Sequence, residues 1–155
     1  MLKRLKKLLS EPVQASKPHH SFEEKQIAAA ALLAEAATSD DGFGDAEHMA
    51  MQTALKRHFN LSSEDAEELA DIGRKNQAEA IELFSFTRTI KDSFDHEERI
   101  EMVEMLWEVV LADGILHAYE DQLLRRIGGL IYVDDRERGA ARKRVAARIE
   151  AAKNS

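Results

Sequence analysis

The sequence predicts an all-α domain, a helical bundle of two pseudo-symmetric helical-hairpin halves. Apolar residues recur at spacings of three and four through most of the chain after Ser21, which is the pattern of amphipathic helices. Several helix starts are marked by a Ser or Asp followed closely by acidic residues. No stretch alternates between apolar and polar residues for long enough to predict a strand. A similarity between two parts of the chain predicts the two halves.

Seven helices are expected. The first follows a capping box of Ser21 and Glu24, and the second starts near Asp45 and carries Met49, Leu55 and Phe59 on its apolar face. The third helix is capped by Ser62 or Ser63 and ends or bends at Gly73, and the fourth is a buried helix over Ile81–Ile90. The fifth covers Glu97–Leu111 and is capped by Asp95, and the sixth covers Leu123–Ile131 and either breaks at Gly128-Gly129 or tolerates it. The seventh is a basic helix over Arg136–Lys153, capped by Asp134-Asp135, with Ala140, Val145 and Ile149 inward.

Length and composition restrict the class of protein. The 155 residues fit one domain with its own core, and 44% apolar with 33% charged residues are typical of a globular chain. The absence of cysteine excludes disulfides, thiol catalysis and thiolate zinc sites. No apolar run reaches the roughly 20 residues that span a bilayer, and no signal peptide is recognisable, so we expect a cytoplasmic protein. A formal charge of -7 argues against nucleic acid as a partner.

The first 20 residues are expected to form a separate N-terminal segment and linker, with the helical domain over residues 21–155. Met1–Leu9 holds four basic residues and no acid, and its leucines would share one face of a helix. This pattern is typical of a short interfacial helix on an anionic membrane or of a docking peptide, although a frayed terminus is the simpler interpretation. Both prolines of the chain fall within Glu11–His20, as expected of a linker.

The chain contains the same arrangement twice, 72 residues apart. An apolar helical stretch leads into Asp41-Gly42 and another into Asp113-Gly114, and each is followed by acidic residues and a second apolar helix. At this shift the buried-type residues of the two helical hairpins superimpose, for example Leu55 on Ile127. We therefore interpret the two stretches as repeated helical hairpins.

Acidic and imidazole side chains cluster around both Asp-Gly turns and define the candidate site. Two such loops brought together could hold a divalent ion such as Ca²⁺, Mg²⁺, Mn²⁺ or Zn²⁺ through oxygen and imidazole ligands. The spacing is neither that of an EF-hand nor that of a di-iron bundle. The alternative is structural, because acidic residues at helix starts commonly act as caps and as partners of the helix dipole. The candidate metal ligands are Asp40, Asp41, Glu47, Asp113, His117 and Glu120.

The segments Ala36–Gly42 and Val109–Glu120 resemble the TerB-like tellurite-resistance family, which also covers the N-terminal domain of a membrane-anchored DnaJ-like co-chaperone. The resemblance extends over roughly Phe22 to Ile149. It implies an all-helical bundle of two pseudo-symmetric halves, a cluster of acidic side chains proposed to bind metal, and links to stress resistance and membrane-associated complexes. It brings no enzymatic activity. The first copy departs from the family pattern, because Glu47 falls one residue short of register with Glu120.

Three functions are compatible with these observations. The favoured one is a non-enzymatic binding or scaffolding module of a stress-response or membrane-associated system, with a divalent metal at the two acidic loops and protein partners that the sequence does not name. The second is a purely structural protein–protein interaction domain in which the Asp-Gly loops only cap helices. The third is a metal-dependent hydrolase, the one enzymatic hypothesis that the residues allow.

Overall fold

Seven α-helices form the computed structural model, which describes residues 21–39 and 42–154, without the side chains of residues 39, 42 and 43. The all-α prediction is confirmed. The helices and two short strands are α1 (Glu24–Ala37), β1 (Thr38–Ser39), β2 (Gly42–Phe43), α2 (Asp45–Phe59), α3 (Ser63–Glu79), α4 (Phe84–Ser93), α5 (His96–Val110), α6 (Ala118–Leu130) and α7 (Asp135–Lys153). The antiparallel pair of two-residue strands between α1 and α2 was not predicted.

Helix α1 is the centre of the bundle and contacts α2, α3, α4, α5 and α6. It is buried on nearly every side, which its small side chains make possible because alanine lets neighbouring helices approach closely. The closest approach is made by Gly73 of α3, where a Cβ would lie 2.5 Å from the Cβ of Ala30. Gly73 is therefore a packing glycine, and the expectation that it ends its helix was wrong, because α3 continues to Glu79.

Helix α5 carries more of the large core side chains than any other described helix. Met102, Leu106 and the single tryptophan, Trp107, are almost fully buried. The indole Nε1 of Trp107 donates a hydrogen bond to the main-chain oxygen of Arg138 at 3.2 Å, which ties α5 to α7. Glu104 adds a second tie, because its carboxylate accepts from Arg144 at 2.9 Å and from Arg148 at 3.2 Å.

The predicted caps are largely confirmed. Ser62 accepts a hydrogen bond from the amide of Asp65, and Asp95 and Asp134 form capping boxes with Glu98 and Glu137. The first helix differs, because its cap is Glu23 rather than Ser21, and the Glu23 amide donates the reciprocal hydrogen bond to Oε1 of Gln26 at 2.9 Å. Helix α6 tolerates both of its glycines and ends only at Leu130.

Three predictions of buried residues were wrong. The helix expected over Ile81–Ile90 begins only at Phe84, so Ile81 lies in the preceding loop and is fully exposed. Met49 is 67% exposed while Met51 is fully buried. In α7 the inward residue is Ala141 and not Ala140, since Ala141 and Val145 lie one turn apart.

The helix starts repeat at an almost constant spacing. Glu24, Asp45 and Ser63 precede His96, Ala118 and Asp135 by 72, 73 and 72 residues. The same order of three helices thus occurs on either side of α4. A pseudo-twofold relation between the two halves stays a prediction. No helix among the described residues is long and apolar enough to cross a bilayer.

Candidate metal centre

The loop between α5 and α6 is held by its own side chain and by one glycine. The carboxylate Oδ1 of Asp113 accepts a hydrogen bond from the amide of Ile115 at 2.9 Å, which closes a tight turn. Gly114 has a φ of +82°, a conformation that a residue with a Cβ adopts at a cost. The Asp-Gly pair is therefore required by the turn, and the turn directs Asp113 toward the start of α6.

Helix α6 begins with a capping box formed by two of the predicted ligands. His117 is the N-cap, and its amide donates to Oε1 of Glu120 at 3.1 Å. The ring Nε2 of His117 lies 3.8 Å from Oδ2 of Asp113. Asp113, His117 and Glu120 consequently form one connected group at this end of the bundle, and Glu120 is its most buried member, only 6% exposed.

In the first hairpin, Glu47 occupies the same position in its helix as Glu120 does in α6. Helix α2 has Gly44 as its N-cap, so Glu47 is the third helical residue, as Glu120 is in α6. A Cβ at Gly44 would collide with the Glu47 carboxylate, which shows that Glu47 folds back over the start of its helix. The one-residue departure seen in the sequence is thus compensated, because α2 starts one residue earlier relative to its counterpart.

The electrostatics of Glu120 connect the two hairpins. Burial raises the pKa of Glu120, the hydrogen bond from the His117 amide and the His117 charge lower it in part, and the carboxylates of Asp113 and Glu47 raise it again. The net effect is a raised pKa. The carboxylates of Asp113 and of Glu47, which come from different hairpins, are therefore both close enough to repel Glu120. An environment of this kind favours a proton or a cation.

The donor chemistry fits a hard divalent cation, since carboxylate oxygens are its preferred ligands. Four of the six predicted ligands, Glu47, Asp113, His117 and Glu120, lie in one electrostatic neighbourhood. Within residues 21–39 and 42–154, however, no three acidic or imidazole side chains converge closely enough to hold a metal ion. Asp40 and Asp41 lie outside the described residues, between the paired strands β1 and β2.

The sequence did not single out Glu35, which joins three helices next to this site. One oxygen of its carboxylate accepts from Gln77 of α3 at 2.9 Å, and the other accepts from the Tyr119 hydroxyl of α6 at 3.3 Å. Tyr119 directly precedes Glu120, so Glu35 fixes the first turn of α6 relative to α1. The available signal was an isolated acid within the alanine-rich stretch of α1.

Comparison with protein families identifies the fold. Residues 26–143 match the family described as tellurite resistance protein TerB, which is most of the chain. The chain belongs to the TerB family. No curated protein and no solved structure gives a match. The resemblance inferred from the two Asp-Gly segments is therefore confirmed, and the chain is a tellurite-resistance-like TerB module of a generally non-catalytic family.

Proposed function

We propose that this TerB domain is a non-enzymatic binding and scaffolding module that takes up a divalent cation between its two hairpins. Glu47, Asp113, His117 and Glu120 supply ligands, and Asp40 and Asp41 complete the set from the first loop. The module serves a stress-response or membrane-associated system, with a cytoplasmic location and a protein partner. The observation that carries the proposal is Glu120, a buried carboxylate whose pKa is raised in the presence of two neighbouring carboxylates.

A bound cation would turn the unfavourable electrostatic energy of these carboxylates into a favourable one. Two carboxylates that repel a third destabilise the folded state, whereas the same three around a divalent ion stabilise it. Asp113 and Glu120 each use one oxygen for a main-chain amide, and each carboxylate has a second oxygen. The caps thus orient the ligands, so the capping role and the metal role are compatible.

The test is the thermal midpoint of metal-stripped protein with Ca²⁺, Mg²⁺, Mn²⁺ or Zn²⁺ added. An ion at 100 times its Kd stabilises the folded state by about 2.7 kcal/mol, which is a shift of roughly 2 to 8 °C for a domain of this size. Glu120→Gln should abolish the shift, because the amide oxygen can still accept the His117 amide but the charge is gone. Asp41→Ala combined with Asp113→Ala should abolish it as well.

The matched control is Glu98→Gln, which changes the residue of α5 in the same position of a capping box. It should keep the full metal-dependent shift. A shift that is absent for every ion, or that survives Glu120→Gln, contradicts the metal proposal and leaves the purely structural interaction domain. Metal-dependent turnover of an ester or phosphoester substrate would instead support the hydrolase.

A further inference from the structure

A second acidic feature lies at the opposite end of α1 from the candidate metal centre. A pocket of about 300 Å³ opens where the start of α1 meets the end of α2 and the first turns of α5. Its lining includes three carboxylates, Glu23, Glu98 and Glu101, together with Phe59 and Phe94. It therefore combines negative charge with aromatic surface, the combination that suits a basic amphipathic peptide.

The pocket already holds one amphipathic cation from the domain itself. The ammonium of Lys25 lies 5.8 Å from the centre of the Phe94 ring and 4.0 Å from the Glu23 carboxylate. The floor beneath it is apolar, since Phe94 is 6% and Met105 1% exposed. One lysine against three carboxylates leaves the lining with net negative charge, so further basic side chains would be attracted to it.

We propose that Met1–Leu9 of the same chain docks into this pocket. The segment has the complementary chemistry, because its basic side chains Lys3, Arg4, Lys6 and Lys7 would meet Glu23, Glu98 and Glu101 while its leucines would contact Phe59, the partly exposed aromatic residue of the lining. Met1–Leu9 lies outside the described residues, and the occupancy is inferred from charge, composition and chain length.

The covalent connection favours the chain's own segment over other peptides. The described chain starts at Ser21, two residues before Glu23, and residues 10–20 connect it to the segment. A connection of this length spans up to about 35 Å when extended, which is ample for a pocket at its own attachment point. A short tether also raises the local peptide concentration to about the millimolar range, so weak contacts suffice. A segment docked in this way is withheld from membranes and partners.

The experiment uses the full chain and its lack of cysteine. Ser10→Cys provides one attachment site for a nitroxide spin label, placed just after the segment. Paramagnetic broadening of amide NMR signals should be strongest around Phe59, Phe94 and Glu101. It should be weaker around Tyr119, since Glu35, the residue of α1 bonded to Tyr119, lies about 18 Å along the helix from Glu23. Uniform broadening, or broadening centred on another surface, would overturn the proposal.

A charge reversal separates docking from random encounters. Glu101 is exposed, and Glu101→Lys should reduce the broadening around Phe94 by about threefold, the scale of exposed ion pairs. The matched control is Glu82→Lys, which makes the same change of net charge in the loop before α4 and should have no effect. Equal loss in both variants contradicts a specific pocket. Copies without the nitroxide can be mixed with nitroxide-labelled copies. If the amide signals of the copies without the nitroxide are then broadened, the segment docks on a second copy, which would overturn docking within one chain.

Discussion

Two carboxylates of the bundle have surroundings that are opposite in sign: Glu108 on α5, which is partly buried, and Glu120 on α6, which is buried. Glu108 forms an ion pair with Arg57 and lies 3.6 Å from His58, so both of its neighbours on α2 are basic. Burial by itself raises the pKa of Glu108, but the bonds and charges of His58 and Arg57 outweigh burial and leave the pKa lowered. Burial acts on Glu120 as well, and there the carboxylates of Asp113 and Glu47 add to burial and the pKa is raised.

The difference separates a structural carboxylate from a candidate ligand. The charge of Glu108 is compensated by the protein itself, so ionisation of Glu108 stabilises the contact between α2 and α5. The surroundings of Glu120 oppose its charge, and a buried group in that condition marks a functional candidate. Burial and acidity alone, which the two residues share, would not have distinguished them.

The largest effect is expected from Glu108→Gln, which removes one side of the ion pair while keeping the shape of the side chain. Arg57 is half exposed and stays solvated, so the loss should be about 1.5 to 3 kcal/mol, the usual contribution of a hydrogen bond to a charged group. Because the pKa is lowered by folding, this stabilisation is present above the unfolded pKa of about 4.3 and is lost as pH falls through the folded value.

Urea unfolding followed by the fluorescence of Trp107 measures this loss, since the single indole is buried. The difference between Glu108→Gln and the wild type should shrink as the pH is lowered from 7 toward 3. A variant as stable as the wild type at pH 7 would contradict the structural role.

A smaller effect of opposite sign is expected from Glu120→Gln in metal-free protein. The raised pKa means that the folded state binds this proton more tightly than the unfolded state. Wild-type stability therefore falls as pH rises from the unfolded pKa through the folded one. The variant lacks this loss, so its stability relative to the wild type should increase by about 0.5 kcal/mol across that interval. Unfolding curves at pH 4 and pH 8 test the sign, and an advantage that decreases with pH would contradict it.

The smallest effect is expected from Glu98→Gln, whose carboxylate occupies the same capping position on α5. Its Oε1 accepts from the Asp95 amide at 2.8 Å, and an amide oxygen can replace it. We expect a change within about 0.5 kcal/mol, the range of ordinary surface substitutions. A gain with pH like that of Glu120→Gln would show that the capping position, and not the facing carboxylates, causes the behaviour of Glu120.

Local signals made most of the helices predictable. Ser62, Asp95 and Asp134 cap helices with an acidic residue two or three positions into them, and this chemistry depends only on neighbours in sequence. The exposure of Ile81 was not predictable, because apolar spacing alone does not reveal that the helix begins only at Phe84. Gly73 was misinterpreted because its role depends on Ala30, a residue of another helix.

The candidate site was predictable in composition but not in arrangement. The repeated Asp-Gly turns singled out Asp113, His117 and Glu120, because the turn and the cap are local. The correspondence between Glu47 and Glu120 was hidden by the one-residue difference in where α2 and α6 start. Arg57 and His58 contact Glu108, which lies about 50 positions later in the chain, and no sequence pattern predicts this contact.

The enclosure of α1 determines how its main-chain amides meet solvent. A helix at the surface can open one turn at a time, but Ala29–Ala34 lie beneath neighbouring helices on all sides and show no exposed surface. Water can reach these amides only when α3 and α5 move away, which is nearly complete unfolding. The amide protons of α1 should consequently exchange with deuterated solvent more slowly than those of the other helices. Their exchange rates would report the global stability of the domain, with or without a bound ion.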